Sequence, residues 1–201
     1  MSKRNIYILF FAALVVGFYF IITSLVPEFK TSKLKVISTV KPFHFTNQNG
    51  NIVTEKEVAG KVYVASYFFT TCKGICPEMN GNLKKVYAKF KTENDFLILS
   101  HTSDPEVDSV PKLKQYAESM GANPNNWIFL TGRKDSLYQM ARFSYAIDDP
   151  ANNLKNINDD FLHTQFWALV NKKGEVRKIY DGLKMTEVNS LMRDIKNELK
   201  K

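Results

Sequence analysis

The sequence is short of cysteine and histidine: 201 residues hold two of the first and three of the second. Two thiols cannot build a disulfide-dense scaffold, a Cys₄ zinc site or a four-thiolate iron–sulfur cluster. Any chemistry they do is done as one pair, or with a third partner of another kind. Internal repeats and low-complexity stretches are absent, and a hydrophobic content of 44% is too high for a disordered chain. No block of single-sign charge stands out either. The net charge of +8 falls to +6 once Lys3 and Arg4 are set aside, and the remaining bases alternate with acids, as in KNELKK at Lys196–Lys201. That describes a solvated mixed surface, or weak attraction to anionic lipid headgroups, and speaks against a nucleic-acid partner.

The hydrophobic residues are unevenly spread. Ile6 to Val26 is an uncharged run of about 21 residues, which at ~1.5 Å per residue spans a bilayer core of about 30 Å. A cleaved signal peptide has an apolar core of about 7–15 residues and a small-residue cleavage site. Ser24-Leu25-Val26-Pro27 is a poor site, and no cysteine follows it to mark a lipoprotein. The expected organisation is an uncleaved transmembrane anchor at 1–26, a polar Lys-rich linker at 27–40 and one globular domain at 41–201. Lys3 and Arg4 precede the anchor and Lys30, Lys33 and Lys35 follow it, so flanking charge does not fix orientation. The very short leader favours a single-pass protein of the inner membrane. Its soluble domain would lie on the periplasmic side, where disulfides are tolerated.

The domain alternates strand and helix patterns, which argues for an α/β layer fold. Pro42–Thr46 and the turn Asn47–Gly50 predict an edge hairpin. VYVASYFF (Val62–Phe69) and FLILS (Phe96–Ser100) predict strands covered on both faces. A helix follows the first, with Pro77 in its first turn and Met79, Leu83, Val86, Tyr87 and Phe90 at helical spacing. Asp108 or Ser109 caps a second helix, which Gly121 ends. Trp127–Leu130 reads as a strand and Asp135–Tyr145 as a helix with Leu137, Met140, Ala141 and Ser144 inward. Asp148–Leu162 reads as a polar loop. A hairpin (Phe166–Val170, Val176–Tyr180) and a helix capped by Thr186 follow. The order predicts a thioredoxin-like fold: a central mixed sheet, helices on both faces and a terminal β-hairpin.

The informative motif is Cys72-Lys73-Gly74-Ile75-Cys76-Pro77, at a strand-to-helix junction. If its second half is helical, the sulfurs lie about one turn apart on one face. Unpaired N–H groups and partial positive charge at the helix start favour thiolates there, and Lys73 adds to that. Such a pair can close a disulfide or bind a soft metal such as Cu(I). A third ligand has to come from elsewhere. His44 lies in the polar phase of its strand and reads as solvent-facing. His101 follows FLILS at the carboxyl edge of the sheet, where it could stand behind the site. His163 ends the long loop opposite the cysteines, as a ligand or as a satisfied structural histidine. Met79 has the phase of a core residue rather than of a thioether ligand.

These elements together resemble the SCO/SenC family of copper-binding assembly proteins. The carrying features are the N-terminal anchor, FFTTCKGICPEMN, SHTSDPEVDS with its DPE-x-D core, and the late histidine of DFLHTQFWALVNKKGEVRKIYDG. The resemblance runs from about Lys41 to the C-terminus. It implies Cys72, Cys76 and His163 as copper ligands, with Cu(I) favoured and Cu(II) allowed. It also implies Cys72 and Cys76 as a redox pair if the protein is thiol-active, and a role in metallating the copper centre of cytochrome c oxidase. Expected partners are the membrane, a copper-receiving oxidase subunit or another copper chaperone. Leu162 stands where many members carry Asp before the histidine, with Asp159 and Asp160 nearby, and Lys73 stands where many carry Pro. The other function class that fits is a thioredoxin-like thiol-disulfide oxidoreductase or thiol peroxidase. Against it, the spacing is C-x-x-x-C and no proline precedes the late strand at Thr164-Gln165.

Overall fold

The computed structural model describes residues 2–25, 34–152, 156–157 and 160–201. Positions 1 and 26 of the expected anchor, 27–33 of the expected linker, and 153–155 and 158–159 of the expected loop, Asp159 among them, lie outside the described residues. The chain divides into two units, Met1–Leu34 and Lys35–Lys201. In the first, helix α1 (Lys3–Leu25) is apolar around its whole circumference. Its Lys3–Ile22 stretch has a mean hydropathy of 2.3 and no buried residues, and is long and apolar enough to cross a membrane.

Among the described residues, the second unit is built on one eight-stranded sheet. Its strands are β1 (Ser38–Thr39), β2 (His44–Asn47), β3 (Ile52–Thr54), β4 (Val62–Phe68), β5 (Phe96–Thr102), β6 (Trp127–Thr131), β7 (Phe166–Val170) and β8 (Glu175–Asp181). They lie in the order β1-β8-β7-β4-β5-β6-β2-β3. β4, β5 and β6 run parallel as neighbours, and the hairpins β2–β3 and β7–β8 are antiparallel. The helices are α2 (Cys76–Phe90), α3 (Val110–Met120), α4 (Lys134–Gln139) and α5 (Met185–Leu199).

Both faces of β4 are covered, which is why its sequence is an unbroken apolar run. Tyr63, Ala65 and Tyr67 join Leu137, Tyr138, Ala141 and Tyr145 in one cluster. On the other face Phe68 stacks on Tyr116 of α3 at 5.1 Å, and Phe90 of α2 meets Phe96 at 5.3 Å. The fold is thioredoxin-like, as expected, and the β2–β3 hairpin sits at the sheet edge.

Several boundaries differ from the sequence reading. Ser38 and Thr39, expected at the end of the linker, pair with Val176 and Glu175. β5 runs two residues past Ser100, because its parallel partner continues: Tyr67 pairs with His101 and Phe68 with Thr102. The last helix begins at Met185 with Lys184 as its cap, so Thr186 sits inside the first turn. The helix expected over Asp135–Tyr145 starts as α4 and widens into a π turn at Met140–Ser144, where Tyr145 N–H donates to Met140 C=O at 2.9 Å. The wider turn buries Met140, Ala141, Arg142 and Ser144 together, a set that a 3.6-residue period cannot place on one stripe.

Candidate metal centre

β4 delivers the chain to the carboxyl edge of the sheet. It leaves the sheet at Phe69 and enters α2 at Cys76, with Pro77 in the first turn. The outgoing segment is tied down. Thr70 N–H donates to Asp108 Oδ2 at 3.1 Å and its hydroxyl donates to Asp108 Oδ1. The Thr102 hydroxyl donates to the same carboxylate at 2.6 Å. Asp108 is fully buried. It is a post that joins the ends of β4 and β5 to the start of α3, while the cap position of α3 falls to Ser109. A buried carboxylate is tolerated when hydrogen bonds replace its water, and Asp108 accepts three.

His163 arrives on an extended segment in which Asp160, Leu162 and Thr164 are buried and Phe161 and His163 are exposed. The Thr164 hydroxyl donates to Ile147 C=O at 2.8 Å, and Leu162 is packed into the core cluster. On the outer side the Phe69 ring meets Phe161 at 5.1 Å and His163 at 5.8 Å.

These two segments bring together a sulfur of Cys72, a sulfur of Cys76 and a ring nitrogen of His163, all within 4.8 Å of one another. A first-row ion bonds thiolate sulfur at about 2.3 Å and imidazole nitrogen at about 2.0 Å, so two donors on one ion are at most about 4.6 Å apart. Side-chain rotation of a few tenths of an ångström closes the difference. Cys76 is buried, Cys72 half-buried and His163 exposed, so the cluster is open on one side. Both cysteines are free thiols.

Burial pushes the Cys76 thiol up to about 12, helped by its hydrogen bond with Cys72. The sequence reading expected the helix start to favour a thiolate. Loss of water around a buried sulfur outweighs the helix-start N–H groups, and the metal-free pair keeps the Cys76 proton.

The other candidates lie elsewhere. His44 is exposed at the start of β2, which pairs with β3 and β6 and so is not an edge strand. His101 is fully buried, stacked on Tyr67 at 5.0 Å and edge-on to Phe45 and Tyr145. It is a core aromatic, and the cluster does not include it. Met79 is buried core. Asp160 is held by Arg142 through two bonds, of 2.6 and 2.9 Å. Sequence reasoning missed Thr70, Thr164 and Arg142, and offered Asp108 beside Ser109 as the cap of α3, which is Ser109. The DPE-x-D segment was the one available signal for Asp108.

The pattern of the SCO1/SenC family matches residues 32–200. The chain belongs to the SCO1/SenC family. It is 33% identical over 162 residues to a SCO1 protein homolog of Bacillus subtilis, covering 79% of this chain and 81% of that one. The other curated relatives are longer relative to the match, and the chain spans 31–66% of their length. The fold superposes on BsSco, described as a Sco-family cytochrome c oxidase assembly protein with a disulfide switch. The TM-score is 0.69 at 31% identity, over 84% of this chain and 98% of that one. It also matches Arabidopsis thaliana ScoI with copper bound, at TM-score 0.63 and 27% identity over 81% and 99% of the two chains.

Proposed function

We propose that the protein is a membrane-anchored copper carrier that serves cytochrome c oxidase assembly, with Cys72, Cys76 and His163 holding the ion. The observation that carries the reading is the meeting of two sulfurs and one imidazole within 4.8 Å at an open rim of this family's fold. Two thiolates and a neutral imidazole suit a soft ion, Cu(I) above all. Copper is cargo here, so the site has to release it. Three ligands, one of them exposed, let a partner's ligands replace them one at a time.

Copper enters only as the cysteines lose their protons, and the raised Cys76 pKa makes that release part of binding at neutral pH. Apparent affinity therefore falls as pH falls, by about tenfold per unit for each proton expelled. Oxidation of Cys72 and Cys76 to a disulfide removes both soft ligands. If the oxidant is a disulfide on the recipient, exchange through a mixed disulfide passes two electrons to it and leaves its cysteines reduced. The closeness of the two sulfurs supports this second half of the task. α1 supports attachment to a membrane; on this reading the anchor lies in the inner membrane and the second unit in the periplasm, where a Cys72–Cys76 disulfide is tolerated. The recipient is a copper-receiving oxidase subunit or another copper chaperone.

The test is a Cu(I) titration of the full chain in detergent micelles against a competing chelator. The reduced protein should take up one equivalent, more tightly at pH 8 than at pH 6. The oxidised protein should take up none. Equal uptake by both forms would contradict Cys72 and Cys76 as ligands, and turnover of a peroxide or disulfide substrate by a reduced chain that binds no copper would favour the oxidoreductase reading.

A further inference from the structure

Arg142 lies in the interior with 1% of its side chain exposed. A buried guanidinium is costly unless it is paired. Here the pairing is with two carboxylates: the fork donates to Asp160 at 2.6 and 2.9 Å, and Nε donates to Asp148 Oδ2 at 2.8 Å. Asp148 in turn accepts from Asn152 at 2.8 Å. The π turn at Met140–Ser144 is what turns Arg142 inward, and such turns recur where a function needs an off-period side chain.

Asp160 begins the arm that carries His163. Three residue steps separate the two, about 10 Å of extended chain. The arm is pinned at alternate residues, by Asp160 in the ion pair, by Leu162 in the core and by Thr164 on Ile147 C=O. Apolar packing at Leu162 resists withdrawal but permits sliding and rotation. A bidentate guanidinium–carboxylate pair fixes both position and direction. The Leu162 side chain points to the core, on the opposite side from the exposed imidazole.

We infer that Arg142 is a positioning residue for the His163 ligand, acting on the arm through its bidentate bond to Asp160. This rests on the reading of Cys72, Cys76 and His163 as the copper site. The cysteine side is held separately by Asp108, so loss of the Arg142 pair should loosen the nitrogen ligand and leave the two sulfurs in place.

The test measures Cu(I) affinity of the reduced full chain in micelles, by chelator competition, in a double-mutant cycle. Arg142→Gln and Asp160→Asn should each weaken binding by roughly ten- to a hundredfold, the range for groups that orient a metal ligand. In a His163→Ala background Arg142→Gln should cost nothing further. X-ray absorption of the copper-loaded Arg142→Gln protein should show a diminished nitrogen contribution beside two unchanged sulfurs. If Arg142→Gln does not fold, Asp160→Asn carries the same expectation, since it keeps the side-chain shape and leaves Asp148 on the guanidinium. Unchanged affinity in the folded variants, or the same loss with and without His163, overturns the proposal while the copper site stands. A silent His163→Ala removes the third ligand, and the proposal with it.

Discussion

At the scale of single residues, burial decides what each side chain can do. His101 is enclosed by aromatic rings, and burial pushes its imidazole down to about 4 from 6.5. The unfolded chain binds a proton near pH 6.5, whereas the folded chain resists it until about pH 4. Between those values the unfolded state holds more protons, so stability falls as pH falls through that window, by up to about 3 kcal/mol. Urea unfolding of the reduced full chain at pH 7 and pH 4.5 should show this loss, and His101→Phe should reduce it. A variant with the same pH slope as the wild type would show that His101 is not the source.

Leu162 is the second residue whose burial has a consequence. It is 1% exposed and faces the core. Leu162→Asp would place a carboxylate among apolar side chains, at a cost of several kcal/mol. The expected result is a lower unfolding temperature with no gain in copper affinity. Tighter copper binding at unchanged stability would mean that residue 162 can reach the imidazole.

At the scale of elements, the metal centre is the meeting of two separately braced segments. Asp108 braces the cysteine loop through Thr70 and Thr102. Asp108→Ala leaves the buried Thr102 hydroxyl and two donors of half-buried Thr70 without a partner, at about 1–3 kcal/mol for the buried group and less for the other two. Calorimetry or urea unfolding should register a loss of about 2 kcal/mol or more, along with faster hydrogen exchange at Thr70 and Thr102. A neutral Asp108→Ala would show that the carboxylate is no brace.

The same scale shows what the sequence made legible. β4 and β5 were readable because burial on both faces leaves continuous apolar runs. α2 was readable because its apolar residues keep one period and Pro77 marks its start. The cap of α5 was misplaced by two residues: Thr186 is a good cap type, but the extended backbone at Lys184 (φ −95°, ψ 112°) sets the boundary. β1 was missed because two polar residues carry no alternation, and their pairing depends on β8. The π turn was hidden, since it breaks the period by which helices are recognised. Arg142 and Asp160 pair across 18 positions, a distance over which no local pattern reports.

At the scale of the whole molecule, the chain joins a membrane-length helix to a thioredoxin-like unit whose cysteine loop and histidine arm meet at one sheet edge. The two cysteines were visible as a site because they share one loop. His163 was only one of two readings until the family resemblance singled it out, because the fold that brings it to the cysteines is not written near it. The overall charge of +8 proved uninformative about the site, whose chemistry depends on two sulfurs and a nitrogen.

The central claim is that these three side chains hold copper together. X-ray absorption at the copper edge, on the reduced full chain loaded with one equivalent of Cu(I) in micelles, measures the ligands directly. The expected spectrum contains two sulfur neighbours and one nitrogen neighbour, and the nitrogen contribution disappears in His163→Ala. A spectrum with sulfur neighbours alone in the wild type, or one unchanged by Cys72→Ser and Cys76→Ser, would contradict the assignment.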